Sequence, residues 1–295
     1  ILPTSVTSIG SNAFGDDMMV CAYSQVTAAD NTTVYMYSEE QPTDTGDYWH
    51  ILGGVPAEWV NLKVLFIGNS FTYYNDIPSL FAEIANSAGA VVEVESIVHG
   101  SYNLARYANP NDVAEPTDDP NMKGDGKTVD ETLRANDDYD VIILQEQSTR
   151  PISSYDMFLQ GASDLNDKIQ ETQKDCDVYL YATWGYPKGL DNNYKTVPDM
   201  EAALRQAYKN VAKAIGADIC SVGEAFTYVY NNYKDINLYH TDDQHPSYAG
   251  SYLSACVHAA TITGCDPRET TFIGSLDAAT AEILQNVAYD IVFGN

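Results

Sequence analysis

From Asn61 to the end of the chain, short apolar runs alternate with longer segments of helical period, and this alternation constrains the fold more than any other feature. The runs Lys63 to Ile67, Val91 to Val98, Asp140 to Leu144, Val178 to Ala182 and Ala217 to Val222 are rich in Val, Ile, Leu or Tyr. Such runs suit strands buried on both faces of a parallel sheet. Between and after them the pattern predicts helices over Ile77 to Ala88, Val129 to Asn136, Tyr155 to Gln173, Pro198 to Ile215, Glu224 to Tyr233, Ser247 to Thr263 and Asp277 to Val292. Met200, Ala203, Leu204, Ala207, Val211 and Ile215, for example, fall on one helical stripe. A βα repeat of this kind builds a flavodoxin-like three-layer α/β/α sandwich around a five-stranded parallel sheet.

Residues 1 to 60 have a different, Ser/Thr-rich texture. The segment Leu2-Pro3-Thr4-Ser5-Val6-Thr7-Ser8-Ile9-Gly10-Ser11-Asn12-Ala13-Phe14 reads as a tight strand-turn unit. It resembles the repeat of BspA-like leucine-rich proteins of bacterial surfaces. The stretches Thr33 to Pro42 and Asp47-Tyr48-Trp49-His50 resemble the segment that closes such arrays. One copy is too few for a free-standing solenoid, which needs about three repeats. The expectation is therefore a repeat remnant and cap (residues 1 to 60) ahead of a larger domain (61 to 295), with the open face touching upstream repeats or another chain. The chain starts at Ile1 without an initiator Met or signal peptide, so it reads as a piece of a longer protein, extracellular or on a bacterial cell surface.

Charge and cysteine usage narrow the function. With 15 Lys+Arg against 42 Asp+Glu the net charge is -27, which excludes unaided nucleic-acid binding. No stretch approaches the roughly 18 apolar residues of a membrane span, so no membrane insertion is expected. Cys21, Cys176, Cys220, Cys256 and Cys265 are odd in number and widely spaced, as buried thiols would be. His50, His99, His240, His245 and His258 show no metal-ligand spacing; neither a metal nor another cofactor is expected. The acidic stretch Asp112 to Lys127, with Asp118, Asp119, Asn121 and Asp125, lacks the ligand order of a calcium loop and reads as a solvated loop.

In open parallel sheets the chemistry sits at the carboxyl ends of the strands. After the first strand comes Gly68-Asn69-Ser70-Phe71-Thr72, where Ser70 is either a nucleophile or a helix N-cap. A serine nucleophile needs a base with an orienting carboxylate. Asp242-Asp243-Gln244-His245-Pro246 supplies both on one loop, Asp242 as orienter with Asp243 as competitor. Together, in this order over about residues 61 to 270, the two blocks resemble the SGNH (GDSL-like) hydrolase superfamily, with Asn69 where Asp is usual.

The resemblance implies Ser70 as nucleophile, His245 as general base and Asp242 as its partner. It also implies an oxyanion hole from the Ser70 N–H, the Gly100 N–H after the second strand, and an amide after the third. There the superfamily has Gly-x-Asn-Asp, whereas this chain reads Leu144-Gln145-Glu146-Gln147-Ser148. Gln145 is favoured as the donor, with Gln147 the alternative register. Trp184, in Thr183-Trp184-Gly185-Tyr186-Pro187, is either a sugar-stacking platform or a core residue, and Tyr73, Tyr74, Tyr102 and His99 flank the same loops. The expected activity is removal of short acyl groups, acetyl above all, from an acylated carbohydrate. The alternatives are a lipase, thioesterase or arylesterase of the same superfamily, and an idle module for glycan or protein adhesion.

Overall fold

A computed structural model describes residues 1–14, 18–30, 32–39, 48–52, 55–58, 61–113, 122–123, 126–173, 175–190 and 193–294. The chain divides into two compact units, Ile1–Asn61 with Gly89–Val91, and Leu62–Ala88 with Val92–Asn295.

The first unit is built from short strands: β1 (Ser8–Ile9), β2 (Val20–Ala22), β3 (Thr27–Ala28), β4 (Val34–Tyr37), β5 (Tyr48–Leu52) and β6 (Val55–Glu58). β1 pairs with β3 in parallel. Leu2 bridges Ala22, and the parallel ladder continues from Ala22 to Met36 and from Met36 to Tyr48 before β6 closes it antiparallel. Strands this short bury little individually, so one large residue organises the unit. Trp49 is fully buried, its ring 5.1 Å from those of Tyr23 and Tyr37, and its indole N–H donates to the Ala22 carbonyl at 3.0 Å. Of the stretches read as the cap, residues 40–42 and 47 lie outside the described residues.

The second unit is the sandwich. Its strands are β7 (Asn61–Gly68), β8 (Val91–Val98), β9 (Val141–Leu144), β10 (Asp177–Tyr181) and β11 (Asp218–Cys220). They form one parallel sheet in the order β11-β10-β9-β7-β8, the flavodoxin-like order. The helices are α1 (Ser70–Tyr73), α2 (Ile77–Ser87), α3 (Leu104–Ala108), α4 (Val129–Ala135), α5 (Arg150–Ser153), α6 (Tyr155–Thr172), α7 (Val197–Ile215), α8 (Val222–Asn232), α9 (Tyr248–Thr263) and α10 (Ala278–Phe293). The short helices α1, α3 and α5 have no counterpart in the periodicity, because four or five residues are too few to show a 3.6-residue repeat.

The strand alternation decides which side chain enters which layer. Leu65 and Ile67 join a core with Leu104, Leu133, Phe158 and Val211. Phe66 points the other way, 5.6 Å from Phe81 of α2 and 5.5 Å from the ring of His258 of α9. Each such side chain contributes about 1.5–3 kcal/mol of burial. Every residue of α9 from Gly250 to Ala260 is buried, as its run of small and apolar residues requires. Helix ends follow local chemistry: Thr128 and Glu131 form a reciprocal capping box on α4, and Gly216 ends α7 at φ 72°. All five cysteines are buried and unbridged.

The strand order reverses between β7 and β9, so a crevice opens beyond their carboxyl ends. Ser70 follows β7 there, and the Gln145-Glu146-Gln147 segment follows β9.

Candidate active site

β7 leaves the sheet at Gly68, where a side chain is excluded: a Cβ would collide with the Thr72 hydroxyl and approach Gln145 Oε1 to 2.9 Å. Asn69, not Ser70, caps α1: its Oδ1 accepts from the Phe71 N–H at 3.1 Å, and its Nδ2 donates to the Tyr102 carbonyl at 2.8 Å. Ser70 is thereby left for another partner. Its Oγ lies 2.8 Å from His245 Nε2, and His245 Nδ1 lies 2.5 Å from Asp242 Oδ2.

The Asp242 carboxylate has no proton to give, so Nδ1 carries the hydrogen and the Nε2 lone pair faces the Ser70 hydroxyl. Asp242 Oδ1 also accepts the N–H groups of Gln244 and His245, at 2.9 and 3.0 Å. Partial burial opposes its ionisation, but the bonds from His245 and the two backbone groups outweigh that and hold its pKa down at about 2. Asp243 is turned elsewhere, at φ 61° and 2.5 Å from Lys188 Nζ, which removes it as the competing orienter.

The His245 loop is held from several sides. His240 N–H donates to the His245 carbonyl at 2.8 Å, and Asn75, at φ 55°, donates to Ser251 Oγ at 2.9 Å and to the Pro246 carbonyl at 3.4 Å. A pocket of about 280 Å³ opens beside Ser70 and His245, with Tyr73, Tyr74, Gly100 and Gln147 among its walls.

Two expectations need correction. Gln145 does not face this pocket: it is 1% exposed, its Oε1 accepts from the Asn69 N–H at 2.9 Å and the Thr72 hydroxyl at 3.0 Å, and its Nε2 donates to the Glu146 carbonyl. Its amide is consumed in bracing the Ser70 loop, whereas Gln147, two residues on, lines the pocket. The signal was in the sequence: aligning Gly-x-Asn-Asp with Gln145-Glu146-Gln147-Ser148 puts the amide at Gln147. Trp184 is fully buried, sandwiched between Phe226 at 4.1 Å and Phe71 at 4.9 Å, so it offers no face to a sugar. Its indole N–H donates to the Gln244 carbonyl at 2.9 Å, which braces the His245 loop.

Of the flanking aromatic residues, Tyr73 and Tyr74 line the pocket, while Tyr102 and His99 are buried beside Tyr107. The Tyr107 hydroxyl accepts from the His99 N–H at 2.9 Å and donates to the Gly68 carbonyl at 2.5 Å, joining the ends of β7 and β8. Nothing in the sequence marked Tyr107 or Asn75 for these roles. Among the described residues no cluster of His, Cys, Asp or Glu is placed to hold a metal; Asp118, Asp119, Asn121 and Asp125 lie outside them. Among the same residues no helix is long and apolar enough to cross a membrane.

No family model and no curated protein matches the chain. Solved structures do. A DUF4886 family protein from Bacteroides uniformis is 20% identical with a TM-score of 0.66, over 79% of this chain and 96% of that one. A candidate SGNH hydrolase from Slackia heliotrinireducens is 27% identical with a TM-score of 0.53, over 68% of this chain and 99% of that one. The fold is that of the SGNH hydrolases, and the likeness supports a hydrolase of that class.

Proposed function

We propose that the chain is a serine esterase that removes short acyl groups, acetyl above all, from carbohydrate. The observation that carries this reading is the line Asp242, His245, Ser70, with contacts of 2.5 and 2.8 Å, at the edge of an open pocket. A carboxylate, an imidazole in the fitting tautomer and a hydroxyl in this order are what nucleophilic acyl transfer requires.

Ser70 Oγ attacks the ester carbonyl while His245 Nε2 takes its proton. The carbonyl oxygen becomes an anion, which the Ser70 and Gly100 N–H groups and the Gln147 side-chain amide receive. His245 returns the proton to the departing sugar oxygen as the C–O bond breaks, leaving an acyl-serine. Water, deprotonated by His245, then attacks the acyl-serine; the acid leaves and Ser70 regains its hydrogen. Asp242 stays ionised throughout and stabilises the imidazolium.

A pocket of about 280 Å³, with Tyr73 and Tyr74 in its wall, suits a small acyl group. The carbohydrate class draws on the polar setting of that pocket and on the repeat-like ladder of the first unit, which fits an extracellular protein acting on glycans. Hydrolysis of p-nitrophenyl acetate, butyrate and octanoate by the parent chain and by Ser70→Ala tests the chemistry. Acetate release from acetylated glycans tests the substrate. Preference for acetate that vanishes in Ser70→Ala is expected; equal rates in the two proteins would sink the reading.

A further inference from the structure

Residues 238–245, which carry Asp242 and His245, wall a second cavity besides the one at Ser70. It measures about 360 Å³, and Pro187, Tyr230, Tyr233, Asn237, Tyr239 and Asp243 are among its walls. That is within the range of about 300–1,000 Å³ that small-molecule sites occupy. Asp243 stands two residues before His245, a span of no more than about 7 Å.

The aromatic wall of this cavity grows out of the core. Phe226, Tyr230 and Tyr233 follow the four- and three-residue spacing of one helical face along α8 and its C-cap. Phe226 is fully buried against Trp184. Tyr239, also buried, lies edge-on to Phe226 at 5.9 Å and to Tyr230 at 6.3 Å, and its hydroxyl donates to the Gly185 carbonyl at 2.8 Å. Tyr230 and Tyr233 are half-buried, and the exposed Tyr228 extends the wall, its ring 6.4 Å from that of Tyr233. Rings anchored in this way need no reordering to receive a ligand.

The charges around the cavity are already engaged. Asp243 pairs with Lys188, and the Lys234 ammonium sits 4.6 Å over the Tyr230 ring and donates to the Tyr230 carbonyl. Asn237 Oδ1 accepts the Tyr239 N–H at 3.0 Å. What is left for a ligand is neutral: the Tyr230 and Tyr233 hydroxyls and the Asn237 Nδ2 group, none of which has a partner among the described residues. Ring surfaces with hydroxyl tips and an amide donor match a molecule with apolar C–H faces and a rim of hydroxyls, which is a sugar. The net charge of -27 disfavours an acidic one.

We propose that this cavity is a subsite for a neutral sugar unit of the glycan, beside the unit that presents its ester to Ser70; this rests on the esterase reading above. A chain of several sugars engages both cavities, whereas a small ester engages the Ser70 pocket alone. Oligomers are therefore bound in preference to single acetylated sugars.

The test begins with the labelled intact chain and unacetylated cello-, xylo-, manno- and chitotetraose. At least one of these should shift the Tyr230, Tyr233 and Asn237 resonances, and oligogalacturonate should not. Kinetics on the acetylated form of the tetraose that binds then compare the parent with a Tyr230→Ala/Tyr233→Ala double variant. The variant should show a KM raised about tenfold with kcat unchanged, and parental rates on p-nitrophenyl acetate and glucose pentaacetate. Tyr230→Phe/Tyr233→Phe should recover most of the affinity, because the rings remain. Resonances that none of the neutral tetraoses shifts, or that oligogalacturonate alone shifts, would overturn the inference. So would an unchanged KM, or a loss that falls equally on p-nitrophenyl acetate. Shifted resonances without turnover of the acetylated tetraose would support the subsite and overturn the carbohydrate-esterase reading instead. If the double variant fails to fold, the titration of the parent still decides.

Discussion

The ring of Tyr74 lies flat on the imidazole of His245, with centroids 4.2 Å apart and planes within 10°. Phe71 approaches the same imidazole at 5.3 Å and 49°. The histidine is thus fixed by two aromatic neighbours as well as by Asp242, and ring orientation decides whether Nε2 meets Ser70. Tyr74→Phe keeps the stack and is expected to keep near-parental kcat. Tyr74→Ala should lower kcat about tenfold, since misplaced reacting groups cost rate more than affinity. Equal kcat for the two variants would show that the stack is ornamental.

Gln145 and Gln147 should separate stability from rate. Gln147→Ala removes a donor at the pocket, so kcat should drop by about 10²–10³ with little change in Tm. Gln145→Ala leaves the Asn69 N–H and the Thr72 hydroxyl unsatisfied in the core, at a cost of about 1–3 kcal/mol for each group. Its thermal midpoint should fall clearly. The opposite pattern would restore Gln145 as the oxyanion donor.

Trp184→Phe keeps most of the apolar volume but loses the bond to the Gln244 carbonyl, worth about 1 kcal/mol net. The change should reduce kcat by loosening the His245 loop while KM for a glycan ester stays put. A stacking platform would give the reverse, a raised KM. Trp184→Ala should cost about 3–5 kcal/mol of stability from the cavity left between Phe71 and Phe226. Denaturant unfolding and steady-state kinetics on the two variants check both statements.

His258 makes stability pH-dependent. The side chain is fully buried, edge-on to Tyr181 and Phe66, and neither ring nitrogen has a hydrogen-bond partner among the described residues. Burial lowers its pKa from 6.5 to about 3. Between these values the unfolded chain binds a proton that the folded chain does not. Stability therefore falls as pH drops through that window, by up to about 1.4 kcal/mol per unit. His258→Leu should flatten this slope, seen as Tm curves of parent and variant that converge above pH 7 and separate below 6. Parallel curves across that range would rule it out.

The seven long helices were legible because each is long enough to display its period, and the five parallel strands because they are apolar runs, β9 buried throughout and β7 from Val64 onward. The Gly68-Asn69-Ser70 and Asp242-to-His245 blocks were legible because steric and chemical demands fall on adjacent residues. The choice of Gln147 over Gln145 and the roles of Tyr74, Asn75 and Tyr107 were not, because they depend on partners 30 or more residues away in the chain or on the direction of a single side chain. Trp184 illustrates the difficulty: a Trp after a strand end suits a platform and a core equally, and only the positions of Phe226 and Phe71 choose between them.

By itself the amino-acid order determined the layer architecture, the crevice at the strand ends and the residue types gathered there, since hydrophobic period and turn chemistry are local properties. Tertiary structure alone decided which amide faces the pocket, which aspartate meets His245 and which aromatic residues are walls rather than core. Those choices follow from side-chain direction: a one-residue change of register sends a side chain to the opposite face, and sequence spacing does not record that angle.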